Sequence, residues 1–228
     1  MRRIEITGIV FAALLGSVAP ATADLLSPAA VTVDVPSYFD IEHVIDKSGL
    51  EPAFTDGQDF ASYVASGPLA HHLFGDGVWG AGSPSLPAYR SATVDLDLGQ
   101  AYTIGAMAFW NLGPGDPSSV NHFDVYVSGD ATFSASEKVG SFVAANGPDN
   151  PSDLALVQTF DLAARTGRYV RLDLLDTYSP TSTTIGFNEV AFDVSPIPEP
   201  GTLLLMVGGL AFFARRFAPI RAWPCQDP

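Results

Sequence analysis

The chain has 228 residues, a net charge of −14 and 47 % hydrophobic residues, with only 16 % charged and with abundant Gly (21) and Pro (18). That balance argues against a disordered chain or a helical bundle and for one globular domain rich in turns. Between Asp24 and Pro200 there are 23 Asp plus Glu against six basic residues (Lys47, Arg90, Lys138, Arg165, Arg168, Arg171), a balance of about −17 that repels phosphate backbones and argues against nucleic acid as a partner. The acidity would tolerate divalent cations and neutral sugars; solubility alone accounts for it equally well.

Residues 1–23 have the layout of a secretory signal peptide. Arg2 and Arg3 form a basic start, Ile6 to Val18 an apolar stretch, and Ala21-Thr22-Ala23 a small-residue cleavage site before Asp24. The apolar stretch is short for a membrane span. The single cysteine, Cys225, is near the far end, so a domain over 24–195 has no disulfide and rests on packing.

Along that domain the pattern alternates with period two. Val94, Leu96 and Leu98 face one way while Asp95 and Asp97 face the other. Residues 104–110 and 155–162 read as strands, as do 123–127, 170–174 and 190–194, where apolar and polar positions alternate again. Turn clusters such as Gly113-Pro114-Gly115-Asp116-Pro117 separate them. At least six strands with one apolar face each, and no long helix, predict an all-β fold of two sheets packed face to face.

Pro198-Glu199-Pro200 then breaks regular structure ahead of an uncharged run, 201–214, which is followed by Arg215-Arg216. As a helix that run would span about 21 Å against roughly 30 Å of hydrocarbon, which suits a temporary anchor with its basic end in the cytoplasm. Pro-Glu-Pro, a short apolar segment and a basic cluster resemble the PEP-CTERM sorting signal, assigning residues 196–228 to a sorting tail. The resemblance implies export in a Gram-negative bacterium that makes exopolysaccharide, transient inner-membrane anchoring through a short transmembrane helix, and processing by exosortase near the Pro-Glu-Pro motif. A plain membrane anchor is the alternative. Such tails usually stop after the basic cluster, whereas this one runs on from Phe217 to Pro228.

The strand phrases carry a second likeness. Thr93-Val94-Asp95-Leu96-Asp97-Leu98-Gly99, Phe123-Asp124-Val125-Tyr126-Val127-Ser128, Arg168-Tyr169-Val170-Arg171-Leu172 and Gly186-Phe187-Asn188-Glu189-Val190 resemble, in this order, the discoidin or coagulation-factor-5/8 C-type domain. The resemblance implies a jelly-roll β-sandwich of the galactose-binding-like type over about residues 44–194, with sugars or lipid head groups bound by loops at one end. Where that family has a tryptophan before the 93–98 strand, this chain has Tyr89-Arg90-Ser91-Ala92.

Relatives of that type often hold a structural calcium ion between an early Asp-rich loop and a glutamate of the last strand. Here Asp56 and Asp59 with Glu189, read as outward-facing, are the implied ligands; a turn at Asp56-Gly57 and a solvated glutamate are the alternative. For ligand contact the candidates are the loop aromatics Trp79, Tyr89 and Trp110, with Arg90 and Asn111 as polar partners, because sugars stack apolar faces on rings and offer hydroxyls to amides and charges. The core is the competing place for a large aromatic.

Other motifs carry little. Gly75-Asp76-Gly77-Val78-Trp79-Gly80 lacks the strand–turn–helix context of a dinucleotide loop, His71-His72 would point apart on a strand, and no nucleophile elbow or catalytic carboxylate phrase is present. The expected function is that of a non-catalytic surface or matrix module associated with exopolysaccharide, cell-surface glycan or biofilm. A secreted polysaccharide lyase or hydrolase, and a coat protein without small ligand, are the alternatives.

Overall fold

We describe the protein from a computed structural model, which places residues 23–71, 79–81, 88–113, 115–146 and 154–197. The signal peptide, the tail from Pro198 onward and residues 72–78 of the glycine-rich and histidine segments lie outside the described residues.

Twelve strands follow in chain order: β1 (Asp24–Leu26), β2 (Ala30–Val33), β3 (Leu50–Glu51), β4 (Gln58–Asp59), β5 (Leu69–His71), β6 (Trp79–Ala81), β7 (Ala92–Asn111), β8 (His122–Ser128), β9 (Glu137–Val143), β10 (Leu154–Leu156), β11 (Gln158–Leu174) and β12 (Ile185–Pro196). A 3₁₀ turn (Ile41–Val44) and one helix, α1 (Phe60–Ala65), complete the fold. The main sheet runs β4-β1-β12-β7-β11-β8-β9, with β2 on β7 and β6 on β12; a small sheet runs β10-β5-β3. Every strand pair is antiparallel.

One long sheet becomes a sandwich because its central ribbon folds over. β7 and β11 pair along nearly their whole lengths, but the register slips at Asp161/Arg165 and Gly167/Tyr169, opposite Gly99, whose φ is +82°. Glycine is required at such a left-handed bend. Gly167 is required for another reason: a Cβ there would lie 2.4 Å from Cγ1 of Val127 and 2.7 Å from the Ser128 carbonyl. Past the corner the two halves of β7 face each other across the core, and Phe109 stacks on Phe123 at 5.4 Å.

The predicted alternation holds in the first half of β7, where Val94, Leu96 and Leu98 are buried and Asp95 and Asp97 are half-exposed. Arg171 grips Asp95 with two bonds of 2.7 and 2.8 Å, and Arg168 grips Asp97 in the same way. In the second half the alternation disappears, because both faces are covered. Ile104, Met107 and Phe109 enter the inter-sheet core, while Ala106, Ala108 and Trp110 enter a second cluster with Phe54, Phe60 and Tyr63. That cluster lies beneath α1 and the small sheet, a layer the strand pattern did not announce. Full burial of each such large side chain is worth about 1.5–3 kcal/mol. The segment predicted as one strand over 155–162 is divided at Val157, with β10 turned to the small sheet and β11 to the large one.

Candidate functional site

Both ends of β7 and the start of β12 meet at one end of the sandwich. The loop after β7 returns through a Val120–Thr177 bridge beside the end of β11, and Tyr89 donates its amide to Thr183 at 3.1 Å. Asn111 holds this loop cluster from below. Its Nδ2 donates to the Val120 and Ala145 carbonyls at 2.8 and 3.2 Å, and its Oδ1 accepts from the amides of Leu112 and Val120.

On top of that support lies an open depression of about 470 Å³, lined by Arg90, Ser91, Leu175, Asp176, Thr177 and Pro180, with Ala88 at the margin. A smaller one, of about 340 Å³, adjoins it through Ser91 and Leu175 and is walled by Tyr89, Asp34 and Asp173. Arg90 donates to the Pro180 carbonyl, which fixes its guanidinium and leaves other N–H groups facing outward. Asp176 is oriented by His122: the amide of His122 donates to Oδ1 at 3.0 Å and Nδ1 lies 2.9 Å from the same oxygen. Both side chains remain about half exposed. Leu175, 50 % exposed, adds apolar surface to both depressions. A fixed cation and an oriented carboxylate in one shallow opening, with the Tyr89 ring in the depression beside it, offer hydrogen-bonding groups next to a ring face.

Of the residues proposed from the sequence for ligand contact, Tyr89 and Arg90 reach this rim. Trp79, Trp110 and Asn111 do not, and their expected loop exposure is corrected. Trp79 is wholly buried, donating Nε1 to Ser37 Oγ at 2.9 Å and standing edge-on to Phe187. Trp110 is wholly buried in the second cluster, where Nε1 donates to the Pro68 carbonyl. Sequence reasoning missed His122 and Asp176; no motif marks them, because segments far apart in sequence bring them together.

Each of the implied metal residues has partners within the protein. Glu189, read as outward, is wholly buried, because Asn188 bulges out of register with β7 and both faces of β12 are covered. Its Oε2 accepts from the Lys47 amide at 3.1 Å, while Oε1 has no hydrogen-bond partner among the described residues. Burial, with the nearby Asp46 charge adding, pushes its carboxyl well above the ordinary range, against the pull of the Lys47 amide and charge. Asp59 caps α1 by accepting from the Ser62 amide at 2.7 Å. Asp56 accepts from the Ser27 amide at 3.1 Å and the Lys47 ammonium at 2.8 Å. Among the described residues no group of three His, Cys, Asp or Glu converges as metal ligands.

Beyond the site, Pro196 is both the last residue of β12 and the first of a segment, 196–218, that matches the model of the PEP-CTERM protein-sorting motif. The chain carries a PEP-CTERM sorting motif. No helix among the described residues is long and apolar enough to cross a membrane. No curated protein matches the chain by sequence. Among solved structures, a candidate chitobiase fragment from Bacteroides thetaiotaomicron superposes with TM-score 0.50 at 14 % identity, covering 81 % of this chain and 98 % of that one. The CBM32 of AlyQ in complex with 4,5-unsaturated mannuronic acid gives TM-score 0.43 at 16 % identity, over 74 % and 96 %. CpGH89CBM32-5 of Clostridium perfringens, in complex with GalNAc-β-1,3-galactose, gives 0.41 at 13 %, over 51 % and 74 %. The chain thus folds as a jelly-roll β-sandwich, like the candidate chitobiase fragment.

Proposed function

We propose that the chain is an exported, exosortase-sorted, non-catalytic glycan-binding module of the surface or extracellular matrix, associated with exopolysaccharide. The single observation that carries the binding reading is the open rim where Arg90 and Asp176, the latter held by His122, stand beside Leu175, with Tyr89 in the adjoining depression. Guanidinium and carboxylate groups suit the vicinal hydroxyls of a sugar, and the Tyr89 ring and Leu175 suit its C–H face. The sorting motif supports passage across the inner membrane and processing near Pro198-Glu199-Pro200. The PEP-CTERM resemblance supplies exopolysaccharide as the partner to test first.

The test is retention of the secreted protein on the host's purified exopolysaccharide and on a glycan panel, for the natural chain and for Arg90→Ala. Saturable retention that weakens about tenfold or more in the variant, corresponding to loss of about 1.4 kcal/mol, supports the rim. Retention unchanged by Arg90→Ala moves the ligand elsewhere. No retention of the folded protein removes the glycan reading and leaves a coat or protein-binding role.

A further inference from the structure

The structure separates the two activities just proposed onto opposite ends of the sandwich. β12 begins at Ile185, paired beside the rim, and ends at Pro196, paired with Tyr102 at the corner of the β7–β11 ribbon. Twelve residues at about 3.3 Å each place these ends roughly 35–40 Å apart. β1 runs antiparallel to β12, and Asp24 is opposite Val194, so the N-terminal segment also leaves from the corner end.

Only residues 197–200 separate Pro196 from the uncharged run 201–214. Fully extended, that connection spans about 17 Å. A linker so short cannot let the sandwich turn over. The two turns at the corner, 99–103 and 162–167, and segment 28–30 beside Gly99 contain no carboxylate themselves, and Asp161 and Glu137 flank them. Their exposed positions are Gln100, Ala101, Ala163, Ala164, Arg165 and Thr166, and Arg165 is paired with Glu137 at 2.8 Å.

We infer that the corner formed by turns 99–103 and 162–167 is the lipid-facing surface of the anchored precursor, and that the Arg90–Asp176 rim is held facing away from the membrane. The inference rests on the reading of the tail as a membrane anchor. An uncleaved N-terminal segment would reinforce the same orientation, because it departs from the same end.

The test uses the full chain in a Cys225→Ser background, with one added cysteine for a fluorescent label, either Ala164→Cys at the corner or Thr183→Cys beside the rim. Each labelled protein is reconstituted into phosphatidylethanolamine/phosphatidylglycerol vesicles that contain a lipid-borne quencher. Co-flotation with the vesicles is measured first, for the full chain and for a chain ending at Ile197. Co-flotation that needs the tail, with most fluorescence lost at position 164 and little at 183, supports the inference. Tail-dependent flotation with equal loss at both positions, or greater loss at 183, overturns the orientation alone. Flotation that does not depend on the tail overturns the anchor reading and the orientation with it.

Discussion

The backbone amide of Lys47 donates to Oε2 of Glu189 at 3.1 Å, joining residues 142 apart in sequence. The same lysine sends its ammonium to Asp56 at 2.8 Å and over the Phe54 ring at 4.5 Å. One residue in the left-handed region, with φ 65°, thus ties the early loop to the first half of the last strand and to the second core cluster. Its charge lies in the loop where the family resemblance implies a metal ion.

Glu189 makes the domain's stability depend on pH. The folded state raises this carboxyl above its ordinary value of 4.5, chiefly through burial, so the native protein holds the proton more tightly than the unfolded chain. Its contribution is fully present below about pH 4.5 and is lost as pH rises through the folded value. Glu189→Gln keeps a neutral acceptor for the Lys47 amide and removes the titration. Thermal unfolding from pH 4 to 8 should show a Tm difference, variant minus natural protein, that grows with pH; a constant difference would show that Glu189 does not titrate in this range.

Calcium should matter less than Lys47. With Asp56 and Asp59 already engaged, millimolar calcium or EDTA should leave Tm unchanged in the purified domain. Lys47→Met should lower stability by about 0.5–1 kcal/mol, the scale of a partly exposed ion pair plus a cation–π contact. Differential scanning calorimetry checks both, and a calcium-dependent rise in Tm would restore a metal at Glu189.

Gly186 admits no side chain. A Cβ there would lie 2.1 Å from the Trp79 carbonyl oxygen, which is backbone of the paired strand β6. Gly186→Ala should cost about 1–3 kcal/mol by overpacking. Trp79 is buried beneath, so its fluorescence in the folded variant should also change. Unchanged denaturant midpoints would mean that β6 yields freely.

Asp176 should act in binding rather than in folding. It is half exposed and contacts His122 at the surface, so Asp176→Asn should shift stability by less than about 0.5 kcal/mol. The same change should weaken glycan retention about as much as Arg90→Ala does. Equal retention with intact stability would place the ligand on another part of the rim.

Much of the sandwich was legible because period-two alternation survives wherever one face of a strand meets solvent, as at Val94, Asp95 and Leu96. It failed where a strand is covered twice. Ala106, Ala108 and Trp110 look like one strand face left for solvent, yet α1 and the small sheet lie over them, and α1 is too short for helical periodicity to reveal it. The same second layer explains why Glu189 and Trp110 were placed outside. For the rim, Tyr89 and Arg90 stood out as an aromatic–cation pair at a strand entrance. His122 and Asp176 are a common surface pair in sequence terms, and only the return of the 112–121 loop beside the end of β11 brings them to Arg90.

β12 is the last described strand in the chain and lies inside the sheet, with β1 and β6 on one side and β7 on the other. Until it arrives, β1 and β4 have no place to dock and the second half of β7 presents an open edge beside Phe109 and Trp110. The sandwich therefore closes only when residues up to about 196 have emerged, through pairings such as Leu25 with Asp193 that are nearly the whole domain apart. Such closure is slow, because loop entropy is lost before long-range contacts form. A chain built this way stays open while it is being made, the condition in which a polypeptide can be threaded across a membrane, and it closes as its sorting motif comes into view.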